Sequence, residues 1–364
     1  ISAGAIRLIG EERVIMLLVP GGGFNSMNKL SWSFSNIWNE SLLQREEREL
    51  KPRDHIWASE LGGAFIDRWY KMKAEEPSNP FDARSLRKFE AGRVFEWIVE
   101  MVLSRAGILQ STQDWVDFQY PGLMRVTGKL DHLAGGSPDW EKAKAEFSNG
   151  ELPDFIKRAA SAVVKHFSEK YPDGLKLLVL EIKSVGSNMF HKYDVHKLAD
   201  TKHALQLYHY LKGKNIPEGH IVYVSKDDLC LVEIGVIVGQ YEDKYHEDIE
   251  KMTEYFKGTE PPPAEQPVGF DELGGRFSVN WKISYSPYLT KVYGFKNQAE
   301  FEGKYKALVA RWNRVLGRVA DGKPMTDDNK KALEDMRKDF PNLDELVEIA
   351  KDRRFVEKGG EKNG

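Results

Sequence analysis

The chain has 364 residues, 53 of them Lys or Arg and 56 Asp or Glu, for a formal charge of −3, and 41% are hydrophobic. This is a globular composition with ample material for a core, and near-neutral charge excludes nucleic-acid binding by bulk basicity, so any DNA site needs a local basic groove. The single cysteine, Cys230, excludes an intrachain disulfide and a cysteine-ligated zinc or iron–sulfur site and points to a reducing, cytoplasmic compartment; no apolar run reaches the ~20 residues of a membrane span.

Residues 1–26 do not read like a domain start, whereas Met27-Asn-Lys-Leu-Ser after the glycine run does; the first 26 residues are read as leader, read-through or expression-derived sequence. Residues 27–80 read as a helical lead-in. Trp32, Phe34 and Trp38 mark a helix within 30–50, and Phe65, Trp69 and Met72 recur at helical spacing after Ser59, a candidate N-cap. Pro77 to Pro80 is a break. Residues 83–106 carry the clearest helical pattern, with Val94, Ile98, Met101 and Val102 predicting the buried stripe and Gly92, Glu96 and Glu100 on another.

Residues 115–120 and 124–133 predict a β-hairpin turning at Pro121-Gly122. An insertion over 134–174 holds two helices, 138–147 and 153–171. It would form an arm over a ligand or a solvent-exposed decoration. Leu175–Lys183 reads as a buried strand. A helix over 196–211, strands over 220–225 and 229–234 with Gly235 interrupting the second, and a helix over 241–256 follow. Residues 261–297 read as a linker and an irregular segment. Helices at 298–318 and 327–352 precede a frayed tail. The order predicts an α/β fold: a core over 81–260 with a central mixed sheet flanked by helices, and helical N- and C-terminal additions.

Chemistry concentrates near the strand 175–183. Glu181 and Lys183 share one strand face, about 7 Å apart, and Ile182 takes the opposite, buried face. A carboxylate and an ammonium at the end of an apolar run are costly without a purpose. If the hairpin pairs beside this strand, Asp131 in Gly128-Lys-Leu-Asp131 converges on Glu181. Two hard oxygen ligands with waters suit Mg²⁺ or Mn²⁺, and Lys183 would orient water and steady developing negative charge. Gln206 and Tyr210, four apart on one helix, can hydrogen-bond a phosphate or the lysine.

The pattern G-x-x-D, E-x-K, Q-x-x-x-Y, carried by Asp131, Glu181, Lys183, Gln206 and Tyr210, resembles the PD-(D/E)XK nuclease superfamily in its RecB-like branch, over about 58–260. The resemblance implies a restriction-endonuclease-like core and metal-dependent hydrolysis of DNA. It makes Asp131, Glu181, Lys183, Gln206 and Tyr210 catalytic residues, and Glu96, Asp131, Glu181 and the carbonyl of Ile182 the metal set. Glu96 stands in Gly92-Arg-Val-Phe-Glu96, where RecB-like nucleases often carry a histidine; a carboxylate there is similar to phage lambda-type exonucleases. Iron–sulfur members of the branch, including CRISPR-adaptation nucleases, carry cysteines where this chain has Ala64, Ile283 and Ser286. The resemblance therefore implies a cluster-free relative, with Trp281, Tyr285 and Tyr288 packing in place of the cluster.

Basic and polar residues follow the strand: His191, Lys192, Lys197, Lys202, His203 and Lys212. They would line a phosphate-tracking groove entered by a loop at Ser184–Asn188, with Ser184, Lys192, Lys202 and His203 contacting nucleic acid. His132 follows Asp131 on the other face and reads as structural. The expectation is a deoxyribonuclease, exonuclease by resemblance, in phage-type recombination or DNA repair. Its partners would be DNA and a recombination or single-strand-annealing protein, with no membrane and an oligomer left open. The compartment would be the cytoplasm of a bacterial, archaeal or phage-infected cell. The rivals are a non-catalytic DNA-binding scaffold on the same fold, and an RNA-directed or endonucleolytic member.

Overall fold

The computed structural model describes residues 6–9, 12–15, 28–29, 33–46, 50–149 and 154–360. The chain divides into two compact units, Ile1–Glu49 with Phe81–Phe89, and Leu50–Pro80 with Glu90–Gly364. The first holds strands β1 (Ile6–Ile9), β2 (Glu12–Ile15) and β3 (Asn28–Lys29) in one antiparallel sheet, and helix α1 (Phe34–Glu46). Most of the segment read as a leader lies outside the described residues.

The second unit begins with strand β4 (His55–Trp57), a 3-10 turn at Ala58–Glu60 and helix α2 (Phe65–Met72). Helix α3 (Ala83–Arg105) starts in the first unit and continues into the second. Strands β5 (Leu109–Thr112), β6 (Trp115–Phe118), β7 (Arg125–Lys129) and β8 (His132–Gly136) come next, then helices α4 (Trp140–Asn149) and α5 (Asp154–Lys170). Strand β9 (Leu175–Val185) leads to α6 (Ser187–His196), α7 (Thr201–Lys214), β10 (Glu218–Ser225), β11 (Leu231–Ile237) and α8 (Glu242–Lys257). The C-terminal part comprises β12 (Val268–Asp271), β13 (Arg276–Val279), α9 (Trp281–Ser284), α10 (Leu289–Tyr293), α11 (Gln298–Ala320), α12 (Asp327–Asp339) and α13 (Leu343–Gly360).

The central sheet has five strands in the order β11-β10-β9-β8-β5. Strands β9 and β10 run parallel and the other pairs antiparallel, so the sheet is mixed. A second sheet, β4-β7-β6, pairs β4 parallel to β7 and β7 antiparallel to β6. Helix α7 lies in the main core and is buried along Ala204–Leu211. Apolar residues on every side of a helix are what burial on every side requires. Here Val179, Ile221 and Tyr223 of the large sheet and Val116 and Val126 of the small one share its core. Asp200 caps the helix, its side chain accepting from the Lys202 amide at 2.8 Å, and Asn215 ends it in the left-handed conformation. On the other face of the large sheet, Ile182, Val222 and Val224 pack against Phe95 and Val99 of α3.

Several elements differ from expectation for identifiable reasons. The strand expected over 124–133 is two strands. Between Lys129 and His132 the chain leaves the small sheet and enters the large one. The β5–β6 connection holds that corner: Leu130 N–H donates to the Asp114 carbonyl, and the Asp131 carbonyl accepts from Gln113 N–H and Thr112 Oγ1. The buried stripe of α3 is offset from the expected one. Phe95 and Val99 face the sheet, while Val94 is 53% exposed and Val102 is also exposed. The 196–211 helix starts at Thr201, and the expected loop Ser184–Asn188 is the end of β9 and the start of α6. Strand β11 runs through Gly235, which pairs with His220. Ser59 sits in the 3-10 turn, and Ala64 precedes α2. The segment Leu50–Pro80, expected in a helical lead-in, belongs to the second unit and gives β4 to its small sheet. Residues 268–279 are a two-stranded hairpin, not an irregular segment. The last helical stretch is broken at Phe340-Pro341: proline has no N–H to donate and disfavours helix in the residue before it, and Phe340 turns out of the helix at φ −129°, ψ 86°. The first half of β9 is not fully buried: the inserted helices α4 and α5 cluster with Ala106, Ile108 and Leu175, while Leu177 is exposed. No helix among the described residues is long and apolar enough to cross a membrane.

Candidate active site

The antiparallel register of β8 and β9 pairs His132 with Leu180 and Leu133 with Val179; one further step sets Asp131 opposite Glu181. The Asp131 side chain turns onto this strand, its Oδ2 accepting from the Ile182 N–H at 2.8 Å. Asp131 therefore stands at the corner where the chain changes sheets, with its carboxylate against β9. Glu181 is fully buried, and Lys183, two residues on and on the same face, donates to Glu181 Oε1. Glu181 Oε2 is buried without a hydrogen-bond partner.

Burying an acid without full pairing opposes its charge. Glu181 is pushed up to about 8, by burial first and then by Asp131 and Glu96, against the pull of Lys183. Glu96 on α3 is pushed up to about 7, by burial and then by Asp131. Burial works against the ammonium of Lys183, but Glu181, Asp131 and Glu96 outweigh it and hold the amine charged. Three carboxylates from α3, the β7–β8 corner and β9 thus feel one another, with one lysine among them.

Tyr210 and Gln206 of α7 lie beneath this corner. Gln206 Nε2 donates to Tyr210 Oη at 3.1 Å. Among the described residues neither bonds Lys183, which is engaged by Glu181 instead. Burial and then Glu181 raise the Tyr210 phenol, so it stays protonated and can donate. Gly128 makes this approach possible: a Cβ there would sit 2.7 Å from the Ala58 Cβ and 3.0 Å from Tyr210 Oη. His132 is buried, and burial lowers its pKa although Asp131, Glu100 and the Glu96 backbone oppose the shift.

The residues expected to touch nucleic acid divide. Lys202 lies 5.7 Å from the ring centroid of Trp281, and its pKa is lowered by burial and then by Lys71 and Lys183. Ser184 lies at the end of β9, with Gly92 of α3 close to its hydroxyl. Lys192 is committed elsewhere, in an ion pair with Asp271 at 2.8 Å. His203 turns toward Tyr223 Oη, 3.1 Å from its Nδ1, and burial keeps the imidazole neutral. Lys197 and Lys212 pair with Asp194 and Glu242. The expected aromatic staple is also different. Trp281 and Tyr285 are 44% and 58% exposed, and only Tyr288 is buried. What joins these segments is Ser286 donating to Asp67 at 2.6 Å and Tyr288 donating to the Glu75 carbonyl at 3.0 Å. Ala64 and Ile283 are buried apolar residues, and Cys230 is exposed. Serine and tyrosine hydroxyls carry no apolar periodicity, so this tie has no pattern signal in the sequence.

Among the described residues no three His, Cys, Asp or Glu side chains are grouped closely enough to hold an ion as they stand. The donor chemistry nevertheless fits a hard divalent cation. The orphaned Glu181 Oε2 is an acceptor without a donor, the carboxylates repel one another, and such ions need few protein oxygens when waters complete the shell.

No protein-family model and no curated protein matches the chain. Among solved structures, the protein named SSO0001 is similar at 14% identity and TM-score 0.41, over 72% of this chain and 96% of that one. An alkaline exonuclease from Laribacter hongkongensis is similar at 9% identity and TM-score 0.32, over 61% of this chain and 94% of that one.

Proposed function

We propose that the chain is a metal-dependent deoxyribonuclease, acting by hydrolysis of phosphodiester bonds and preferentially from DNA ends. The observation that carries this reading is the meeting of Asp131 and Glu181 at the sheet-switching corner, with Lys183 on Glu181. Asp131, Glu181, the Ile182 carbonyl and, with them, Glu96 would hold one or two Mg²⁺ or Mn²⁺ ions. When bound, such an ion would neutralise charge on the phosphate and favour the hydroxide form of a water.

The chain's own residues supply the rest. Lys183 Nζ would hold the attacking water by hydrogen bonding and offer positive charge to the non-bridging phosphate oxygens. Glu181 keeps that amine in place and protonated. Tyr210 Oη, protonated and bonded to Gln206, would donate to the phosphate or to a carboxylate of the site. Lys202 would steady the adjacent phosphate. The exonuclease preference, and a role in phage-type recombination or repair, rest on the motif resemblance.

Purified protein incubated with end-labelled linear DNA and with closed circular plasmid, in Mg²⁺, Mn²⁺ or EDTA, tests the reading. Ion-dependent degradation of the linear DNA is expected, with Lys183→Ala inactive. DNA binding without cleavage in any ion would favour the non-catalytic scaffold. Degradation of RNA in preference to DNA would move the substrate, and cutting of the closed circle would make the enzyme an endonuclease.

A further inference from the structure

The small sheet β4-β7-β6 has one face in the core and one turned away from it. Ile56, Val116, Val126 and Gly128 point inward and are buried. Alternation puts His55 and Trp57, Arg125, Thr127 and Lys129, and Trp115 and Asp117 on the outer face, where central Thr127 is buried and His55 and Trp57 are half-buried. An outward face of an antiparallel hairpin is ordinarily polar. This one carries two tryptophans. Trp115 is 56% exposed, and its ring centroid is 5.7 Å from that of Trp57, which meets His55 edge-on at 5.1 Å. Lys129 Nζ lies 4.9 Å from the Trp115 centroid, and the Arg53 guanidinium 6.0 Å from that of Trp57, its charge paired with Glu60. Lys129 is exposed at the tryptophan end and Asp117 beside it; exposed Arg125 is at the far end, in register with His55, where Asp54 offsets its charge.

The tryptophan end of this face is also the end nearest the carboxylates. Lys129, paired with Trp115, is two residues before Asp131. Trp57 leads directly into Ala58, the residue against which Gly128 packs. We propose that this face is a stacking platform for an unpaired DNA strand, which it delivers to the Asp131–Glu181 corner. Indole faces accept any base by stacking, and the flanking cations neutralise phosphates, so recognition would be sequence-tolerant and selective for bases that are not paired. Only the delivery step rests on the nuclease reading; the platform itself does not.

The test is fluorescence anisotropy of labelled dT12 with the full chain in EDTA, beside an abasic 12-mer of the same backbone and a 12-base-pair hairpin. The wild type is expected to prefer dT12 over the abasic strand by about tenfold or more. Trp115→Ala should abolish that preference, and Trp115→Tyr should restore most of it. Lys129→Ala should weaken the dT12 and abasic strands alike and flatten the salt dependence. Photocrosslinking of an iodouracil 12-mer to the wild type provides a reading independent of any variant's folding, with adducts expected on Trp57 or Trp115. Equal affinity for dT12 and the abasic strand, unchanged dT12 binding by folded Trp115→Ala, or adducts only elsewhere would overturn the platform. The nuclease reading is separable: dT12 bound in the expected way but uncut in Mn²⁺ removes the hydrolase and leaves the platform.

Discussion

The carboxylate cluster sets the sign of the pH dependence expected for Glu96→Gln. Without a metal ion, the charged form of Glu96 is opposed by burial and by Asp131, which lifts its pKa from 4.5 to about 7. That difference corresponds to about 3 kcal/mol, and to about half of that once solvent screening at this partly open position is allowed for. The folded-state value lies above the unfolded one, so the folded protein holds the proton more tightly. The contribution to stability is therefore full below pH 4.5 and lost as pH rises through about 7. Above pH 8 the metal-free Glu96→Gln protein should be more stable than the wild type by about 1–2 kcal/mol, a few degrees in melting temperature. Near pH 5 the two should converge. Added Mn²⁺ should reverse the order, stabilising the wild type more, and increasingly at high pH, because ligands bind a cation in their deprotonated form. Scanning calorimetry from pH 5 to 9, with and without Mn²⁺, reads both effects. Parallel pH profiles for wild type and Glu96→Gln would show that Glu96 does not feel the cluster. An unchanged Mn²⁺ response in Glu96→Gln would remove it from the ligand set.

Further outcomes follow from other contacts. Lys183→Ala should abolish cleavage by at least a hundredfold, as measured by release of end label, and lower metal-free stability by leaving Glu181 Oε1 without its donor. Asp131→Ala should abolish cleavage and also leave the Ile182 N–H without its side-chain acceptor; full activity in either variant would contradict the assigned roles. Gly128→Ala should cost about 1–3 kcal/mol in a denaturant melt, because its methyl group meets Ala58 and Tyr210 with no flexible neighbour to move aside. Asp67 is buried and pushed up to about 6, its folded-state value above its ordinary 3.8, so its stabilisation is present at low pH and lost as pH rises through 6. Asp67→Asn, which still accepts from Ser286, should match the wild type near pH 3.5 and exceed it by about 3 kcal/mol at pH 8; equal stability at pH 8 would contradict the burial argument.

Legibility in the sequence followed the physical origin of each signal. The α/β order and central sheet were readable because strand and helix periodicities differ over long apolar runs such as 175–183 and 204–211. The approach of Asp131 to Glu181 was expected on the condition that the 115–133 hairpin pairs beside 175–183; that hairpin lies in the small sheet, and it is β8, after the switch, whose pairing with β9 brings the two together. The sheet switch at Leu130–Asp131 was not readable, because it depends on hydrogen bonds from the β5–β6 connection that leave no pattern. The offset stripe of α3 misled for a related reason: Val94 and Val102 are apolar but exposed, while the face that meets the sheet carries Gly92 and Glu96 among its hydrophobics. Basic residues after β9 looked like one groove, yet Lys192, Lys197 and Lys212 each found an acid on another part of the chain or one turn away. The tryptophan face was invisible because its members come from strands about 60 residues apart, joined by the parallel pairing of β4 with β7 and the antiparallel pairing of β6 with β7.

The central claim is that oxygens of Asp131 and Glu181 share a divalent ion beside Lys183. The most direct measurement is an anomalous difference map from crystals soaked in Mn²⁺. A peak between the two carboxylates and the Ile182 carbonyl is the predicted result; crystals saturated with Mn²⁺ that show no peak at that corner would contradict it.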